Sequence, residues 1–324
     1  MQLFYKIPLS VSPIKIGYKT KLMSIGSCFS EHIAARLATS KFDIAFQAFG
    51  QLYNPISIAN TLERIISRKI VLENELFLHN ERYHSFDFHS DYSDTNKDLA
   101  LDKMNNDVVK FHEHLKQTDI LFITLGSAHV FEQKDGKVVA NCHKLWASNF
   151  VHRRISTDET VEVLTKTLQQ FTEFNPKIHV VFTVSPVRYA GVGMYENQLS
   201  KATLFLAIDK VFETYNNMSY FQAYEIVMDE LRDYRFFKND FMHPNDLAID
   251  YVFERFKEYY FNQDTMSIYN EIQKILNAVM HKPFDPSSSA HKNFVKKIIL
   301  DMEAIESKNL GINFNREKEV ISNY

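Results

Sequence analysis

The sequence predicts an open α/β sheet with helices on both sides, and three observations carry that prediction. Short, unbroken apolar runs occur at Leu22 to Gly26, Ile120 to Gly126 and Ile178 to Ser185. Continuous rather than alternating apolarity marks strands covered on both faces, as in a parallel sheet. Helical patterns separate these runs, so strand and helix alternate along the chain. Glycine is scarce, eight in 324 residues, yet Gly26, Gly50 and Gly126 each fall where a strand is predicted to end. Sheets of this kind place their sites just beyond the carboxyl ends of their strands, where backbone must turn tightly or approach a ligand closely.

The remaining elements follow from local signals. Phe42 to Gly50 (FDIAFQAFG) and Tyr220 to Met228 (YFQAYEIVM) are read as two further strands. Asn54-Pro55 sets a capping side chain before a proline at the first helical position, and Ser156 to Glu159 is a capping-box pattern that leads into VEVLTKTLQQF. Helices are predicted from about Asp98 to Leu115, from Glu196 to Tyr215 and from Asp246 to Tyr260. Gly136 in KDGK suits a hairpin turn between Val130-Phe131 and Val138-Val139. Leu76 to Ser93 fits neither period and reads as an irregular excursion or a hairpin between sheet elements. After Asn262 the pattern changes to two helices, Thr265 to Met280 and Ser289 to Ser307, on either side of the breaker-rich KPFDPSSS. The predicted organisation is an α/β domain over residues 1–262 and a helical hairpin as an extension over 263–324.

Composition narrows the function. A hydrophobic content of 45% is ample for a core, and a net charge of -3 with no long basic run gives no reason to expect a nucleic-acid partner. No run approaches the roughly eighteen apolar residues of a membrane span, and the N-terminus lacks an apolar segment followed by a small-residue cleavage site. The expectation is a cytoplasmic protein with no membrane partner. Two cysteines, Cys28 and Cys142, are too few for a disulfide framework or a four-thiolate zinc site. Thirteen histidines show no His-Glu-x-x-His spacing, so no metal is assigned. Gly191-Val192-Gly193 lacks the third glycine of a dinucleotide loop, no Walker-type loop occurs, and no cofactor is expected.

Chemistry concentrates at two places far apart in the chain. In DFMHPND, Asp240 and His243 stand just before a predicted helix, with His243 held in a loop by Pro244 and Asn245. A carboxylate that holds one imidazole nitrogen leaves the other free to take a proton from a nucleophile. The plainer role for the pair is to cap the helix that follows. At the other place, the run KLMSIG stops at Ser27-Cys28 and passes into the helical EHIAARLA. A hydroxyl or thiol on such a turn meets unpaired amides and the positive end of a helix dipole, which lower a thiol pKa and stabilise an oxyanion. Ser27 as a cap and Cys28 as a small buried apolar residue are the plainer roles here. Arg188, after the strand end in TVSPVR, is placed to bind a substrate carboxylate or phosphate, or to pair with a nearby acid.

The run Ile25-Gly26-Ser27-Cys28-Phe29-Ser30 resembles the motif that names the GSCFA family, a distant branch of the SGNH or GDSL hydrolase superfamily. FGQLYNPISIAN, SFDFHS, VVANCHK, TVSPVRY, NQLSKATL and YEIVMDELRDYRF through DFMHPNDLAIDY extend the likeness in order over roughly residues 20 to 260. The resemblance implies a three-layer α/β/α sandwich with a mostly parallel sheet in flavodoxin-like order, followed by the C-terminal helical hairpin. It also implies a nucleophile in the first block and Asp-x-x-His in the last. Ungapped register on Gly-Asp-Ser-Leu puts Cys28 at the nucleophile position, and a one-residue shift gives Ser27.

For the oxyanion hole, the resemblance matches Gly50 to the second-block glycine. The third block reads Gly126-Ser127-Ala128-His129, so Ala128 stands where the superfamily has an asparagine, and Asn54 or Ser127 is the candidate replacement donor. Asn54 is equally a helix cap. His89 and His143, in family motifs, are candidate pocket residues alongside Arg188. The activity implied is hydrolysis or transfer of an acyl group from a small-molecule or carbohydrate ester through a covalent acyl-enzyme. The alternative is a catalytically weak or inactive ligand- or carbohydrate-binding module on a hydrolase scaffold, which the missing asparagine favours.

Overall fold

A computed structural model of the chain describes residues 5–282 and 284–322. Met1 to Phe4, at the head of the segment read for a leader, and Pro283, within the breaker-rich KPFDPSSS, lie outside the described residues. The first unit is strand β1 (Leu22–Gly26), helix α1 (Cys28–Thr39) and strand β2 (Ile44–Phe46). Next come α2 (Pro55–Ile66), the hairpin β3 (Phe77–His79) and β4 (Arg82–His84), and α3 (Lys97–Gln117). Strand β5 (Ile120–Leu125) precedes a small antiparallel sheet of β6 (His129–Gln133), β7 (Val138–Val139) and β8 (Phe150–Arg154). The chain continues with α4 (Thr157–Phe174), β9 (His179–Val184), α5 (Met194–Phe212) and β10 (Met218–Tyr220). It ends with the short α6 (Ala223–Glu225), α7 (Asp246–Tyr260), α8 (Gln263–Val279), α9 (Ser289–Glu306) and α10 (Asn315–Ser322).

The main sheet has the order β10-β9-β5-β1-β2, and every pairing in it is parallel. Renumbered along the chain this is the 2-1-3-4-5 arrangement of flavodoxin-like folds, whose switch point lies between β1 and β5. Side chains that alternate along the strands explain the unbroken apolar runs. Met23, Leu121, Ile123, Val180 and Phe182 point into a core shared with α2, α3, α4 and α5. Leu22, Ile120, Phe122 and Val181 point the other way, into a core shared with α1, α7 and the C-terminal helices. Two buried faces leave no position on these strands for a solvated side chain. Burial of each large apolar side chain contributes roughly 1.5 to 3 kcal/mol, which makes these strands the rigid base of the loops above them.

The local signals decide most boundaries. Asn54 Oδ1 accepts from Ser57 N at 2.8 Å and starts α2, with Pro55 at its first position. Ser156 Oγ accepts from Glu159 N at 3.1 Å, but the Glu159 carboxylate turns to Arg153 instead of closing the capping box. Gly136 turns the β6–β7 hairpin with φ +89°. Tyr220 to Met228 is corrected: the fifth strand ends at Tyr220, and the chain from Ala223 is helical, with a π turn at Ile226–Glu230. Its apolar residues suit either period, and a three-residue edge strand leaves little pattern to read. The tail holds a third helix, α10, too short and charged to show an apolar stripe. Ile272, Ile275, Met302 and Phe314 of the tail join Phe29, Leu37 and Phe256 in one cluster.

Candidate active site

At the carboxyl edge of the sheet, the turns after β1, β5 and β9 face one cavity of about 380 Å³. Gly26 leaves β1 at φ +136°, and a Cβ there would collide with the Thr124 backbone of the neighbouring strand. Only glycine lets β1 run this close to β5 and still turn into α1. Ser27 and Cys28 then line the cavity from one side, and Gly126 and Ser127 line it from the next strand. Ser185, Val187 and Arg188 follow β9 along the same wall. His129, Phe131 and Val139 of the small antiparallel sheet and Cys142, in the connection after β7, close the far side.

His243 enters this cavity from the loop before α7. The loop is pinned by Lys238 N donating to His243 O at 2.7 Å and by Asn245, whose Oδ1 accepts from Ala248 N at 3.1 Å and caps α7. Asp240 accepts at Oδ1 from the Met242 and His243 amides at 2.9 and 3.0 Å. Its Oδ2 lies 2.6 Å from His243 Nδ1, so that nitrogen carries the proton and Nε2 is the acceptor. The two amides and the imidazole hold the Asp240 carboxyl well below the ordinary carboxylate range, ionised in any neutral solution. Asp240 caps nothing on α7; Asn245 does that instead. Among the described residues no hydrogen bond joins His243 to Ser27 or Cys28.

The two candidate nucleophiles differ in exposure. Ser27 is buried, and among the described residues its hydroxyl has no hydrogen-bond partner and caps no amide of α1. Cys28 is half-buried, the first residue of α1, with its thiol beside its own amide and that of Phe29. The lowered thiol pKa predicted from the helix N-terminus is corrected. Burial pushes the Cys28 thiol above its ordinary value, the Phe29 and Cys28 amides and Lys238 pull it down, and Glu31 raises it further. Desolvation wins because the helix end acts on a sulfur already withdrawn from water.

The remaining predicted site residues divide. Asn54 lines the cavity; its Oδ1 caps α2, and its Nδ2 donates to no group among the described residues. Ser127 is present too, but its amide donates to Tyr53 O at 2.8 Å, and its hydroxyl sits 3.2 Å from Ser200 Oγ. Arg188 has no carboxylate partner among the described residues, only Met228 Sδ at 3.4 Å. Gly50 is displaced: it lines a separate, polar cleft, and its amide donates to Gln47 O at 2.9 Å. With φ +93° and a Cβ position filled by His89, it needs to be glycine for backbone reasons. His89 borders that same cleft beside Asp91, and His143 is buried beside His84 with both nitrogens occupied. Neither histidine lines the cavity.

Three residues that sequence reasoning passed over belong to the site. His129 and Cys142 line the cavity. Lys201 lies beneath it, only 2% exposed, its Nζ donating to the carbonyls of Gly126 and Ser185 at 2.6 Å each. The signal for Lys201 was its register. Asn197, Ser200, Lys201, Leu204 and Ile208 share the buried stripe of α5, so helical periodicity alone places the lysine inward. Among the described residues no group of three or more His, Cys, Asp or Glu side chains is arranged to hold a metal ion. No helix among them is long and apolar enough to cross a membrane.

The chain is similar to several solved carbohydrate esterases, each remote in sequence. An acetyl xylan esterase, Est2A, from Butyrivibrio proteoclasticus shares 12% identity over 79% of this chain, with a TM-score of 0.39. This chain covers 65% of that esterase's length. A carbohydrate esterase family 3 protein from Talaromyces cellulolyticus shares 10% identity, covers 78% of this chain and 99% of its own, and gives a TM-score of 0.36. A family 3 carbohydrate esterase from Clostridium thermocellum shares 12% identity, covers 78% and 97%, and gives 0.34. No curated protein matches the chain by sequence. The model of the GSCFA family matches residues 21–256 and that of the GSCFA C-terminal domain residues 272–324, so that Ser27-Cys28, Lys201 and the Asp240–His243 pair all lie within the first match: the chain belongs to the GSCFA family.

Proposed function

We propose that the cavity is the site of an acyl-ester hydrolase or acyltransferase that works through a covalent acyl-enzyme on Cys28. The observation that carries this reading is the 2.6 Å Asp240–His243 contact, with the imidazole lining the same cavity as the Ser27–Cys28 turn. In the proposed sequence His243 Nε2 takes the thiol proton as Cys28 Sγ bonds to the ester carbonyl carbon. Collapse of the tetrahedral species breaks the C–O bond, and His243 returns the proton to the departing alkoxide. Water or a second alcohol then attacks the thioester, with His243 again taking the proton, and Cys28 leaves as the thiol.

The first-turn amides of α1 and Asn54 Nδ2 are the donors proposed for the oxyanion, in place of Gly50. Ser127 is a weaker candidate because its amide is already engaged. Phe131, Val139 and Val187 supply apolar walls for an acyl group, and Arg188, without an ion-pair partner among the described residues, suits an anionic substituent on a small-molecule or carbohydrate ester. Two free cysteines in one cavity suit a reducing compartment such as the cytoplasm.

A panel of acyl esters tested with wild type, Cys28→Ala and Ser27→Ala examines this directly. The expected result is loss of acyl-enzyme formation in Cys28→Ala, with a substantial fraction kept in Ser27→Ala. The reverse pattern hands the role to Ser27. If wild type cleaves no ester and Cys28 resists iodoacetamide, the ligand-binding alternative replaces the enzyme.

A further inference from the structure

We propose that the polar cleft bordered by Gly50 is the subsite for the alcohol part of the ester, and that this alcohol is a neutral sugar. The cleft holds about 470 Å³, and Glu31, Gln47, Gln51, Tyr92, Asn106 and Asp107 border it. The cavity beside the Ser27–Cys28 turn is walled instead by groups such as Phe131, Val139 and Val187, so the two spaces suit opposite ends of one ester. Two connections set them side by side. Helix α1 carries Cys28 in the cavity and Glu31 in the cleft, and residues three apart on a helix have Cβ atoms only about 5 to 6 Å apart. The segment after β2 also runs from one to the other, with Gly50 and Gln51 on the cleft and Tyr53 and Asn54 on the cavity. Gln51 Nε2 donates to Glu31 Oε2 at 2.9 Å, and Gln51 Oε1 accepts from the Tyr53 hydroxyl at 2.7 Å. These bonded side chains form the ridge between cavity and cleft, and a sugar ring on the departing oxygen of an ester held at Cys28 reaches across it.

Sugar hydroxyls both donate and accept, and the cleft offers partners of both kinds. Glu31 spends Oε2 on Gln51, and Asp107 spends Oδ2 on the Tyr92 hydroxyl at 2.5 Å. Their other oxygens have no partner among the described residues, which leaves each carboxylate one face for a ligand hydroxyl. Gln47 and Asn106 are exposed, and their side-chain amides, likewise without a hydrogen-bond partner among the described residues, supply donors. Gln47 and Phe49 take φ +63° and +61°, a conformation that residues with a Cβ keep only where the surroundings impose it. His89 N donates to Phe49 O at 2.8 Å and holds this edge in place. Charge selects the class of alcohol. Glu31, Asp91 and Asp107 face the cleft, while its lysine, Lys103, is already paired with Asp94 at 2.6 Å. A phosphate or carboxylate on the alcohol is therefore repelled, and the unpaired Arg188 stands on the cavity wall instead. Tyr53, 44% exposed at the ridge, adds an aromatic surface on which the C–H face of a sugar can pack.

Because the subsite rests on the acyl-ester reading, its test needs one measurement of turnover and one without it. For turnover, kcat/KM on the monoacetates of D-glucose and D-xylose is divided by kcat/KM on ethyl acetate, in the full-length wild type and in Gln47→Gly combined with Asn106→Ala. Glycine suits the positive φ at position 47, so the pair removes two amide donors without straining the turn. The ratio is expected to fall about tenfold, as for the loss of two hydrogen bonds to the sugar. An unchanged ratio overturns the subsite, and so does a wild type that cleaves ethyl acetate and neither sugar ester. Without turnover, the side-chain amide signals of Gln51 and Asn106 are followed by NMR in wild type as D-glucose, D-xylose or a phosphorylated glucose is added. Both neutral sugars are expected to shift these signals and the phosphorylated one to shift them less; a stronger response to the phosphorylated sugar would overturn the neutral class. Should the double variant fail to fold, or no ester be cleaved, this titration decides, and still signals with both neutral sugars overturn the subsite. Shifted signals in a protein that cleaves no ester sink the hydrolase reading and leave a sugar site in the cleft. Ester cleavage through Cys28 with an unchanged ratio and still signals does the opposite.

Discussion

At His243 one ring nitrogen is held and the other is open, whereas at His143 both are taken. Asp240 fixes His243 Nδ1, the side chain keeps 42% of its exposure, and Nε2 has no partner among the described residues. His143 is buried and belongs to the β7–β8 connection. Its Nε2 donates to Ser85 O at 2.8 Å, and its Nδ1 accepts from Ser90 Oγ at 3.1 Å. His84 packs near it, its ring tilted by 47° with centroids 4.5 Å apart. Both histidines stand in motifs that carry the family resemblance, yet one is arranged to exchange a proton and the other to hold loops together. The difference lies in the partners: a carboxylate strengthens a base and leaves it accessible, while a carbonyl and a hydroxyl in the interior consume the ring's whole capacity.

The sharpest way to break this comparison is to remove each imidazole and read turnover and stability together. His243→Ala and Asp240→Asn are expected to lower turnover about a thousand- to ten-thousandfold with little change in melting temperature, because both residues stand on an exposed loop. His143→Ala is expected to cost roughly 1 to 3 kcal/mol, since it leaves a buried carbonyl and a hydroxyl unpaired, and to keep the turnover of the molecules that remain folded. Thermal melts and acyl-ester assays on the same preparations check both halves. Full activity in His243→Ala would end its role as the base.

What could be read in advance was set by local physics. Continuous apolar runs located β1, β5 and β9, and Asn54-Pro55 located the start of α2 because a cap acts within one turn of chain. Asp240 and His243 were legible because their contact spans three residues. Gly50 was not, since its amide's partner, Gln47 O, depends on a turn in which Gln47 and Phe49 both take positive φ. The Cys28 environment was misjudged for a related reason: the helix end is visible in sequence, but the burial that outweighs it comes from elements far away in the chain. Lys201 was overlooked because its residue type argues for the surface while its register on α5 argues for the core. Periodicity was the better guide.

Asn54 offers a smaller and cleaner separation of fold from chemistry, because its two side-chain atoms serve different masters. Oδ1 caps α2, and Nδ2, on a cavity-lining residue, has no acceptor among the described residues. Asn54→Ser keeps a good capping oxygen and removes the amide donor. If Nδ2 stabilises an oxyanion, this variant should lose about a hundred- to a thousandfold in kcat with an unchanged melting temperature. Asn54→Ala should add a stability loss of about 1 kcal/mol to the same kinetic defect. A kcat that survives Asn54→Ser would confine Asn54 to capping and leave the α1 amides, with Ser127 as the weaker candidate, as the proposed donors.

The smallest expected effect tests the buried histidine by pH. Burial lowers His143 from the ordinary 6.5 to about 4; the Ser85 carbonyl opposes this, and His84, His89 and His79 add to it. Between those two values the unfolded chain binds a proton at this site that the folded chain does not, so stability rises with pH across the window. Its contribution is therefore complete above about 6.5 and is lost as pH falls towards 4. His84 is lowered as well, chiefly by burial, and contributes with the same sign. The wild-type melting temperature should thus decline through mildly acid pH, and His143→Gln, which cannot titrate but can still donate to Ser85 O, should flatten the decline by a few degrees. A slope that His143→Gln leaves untouched would mean that the ring is charged in the folded protein, and its contrast with His243 would then rest on geometry alone.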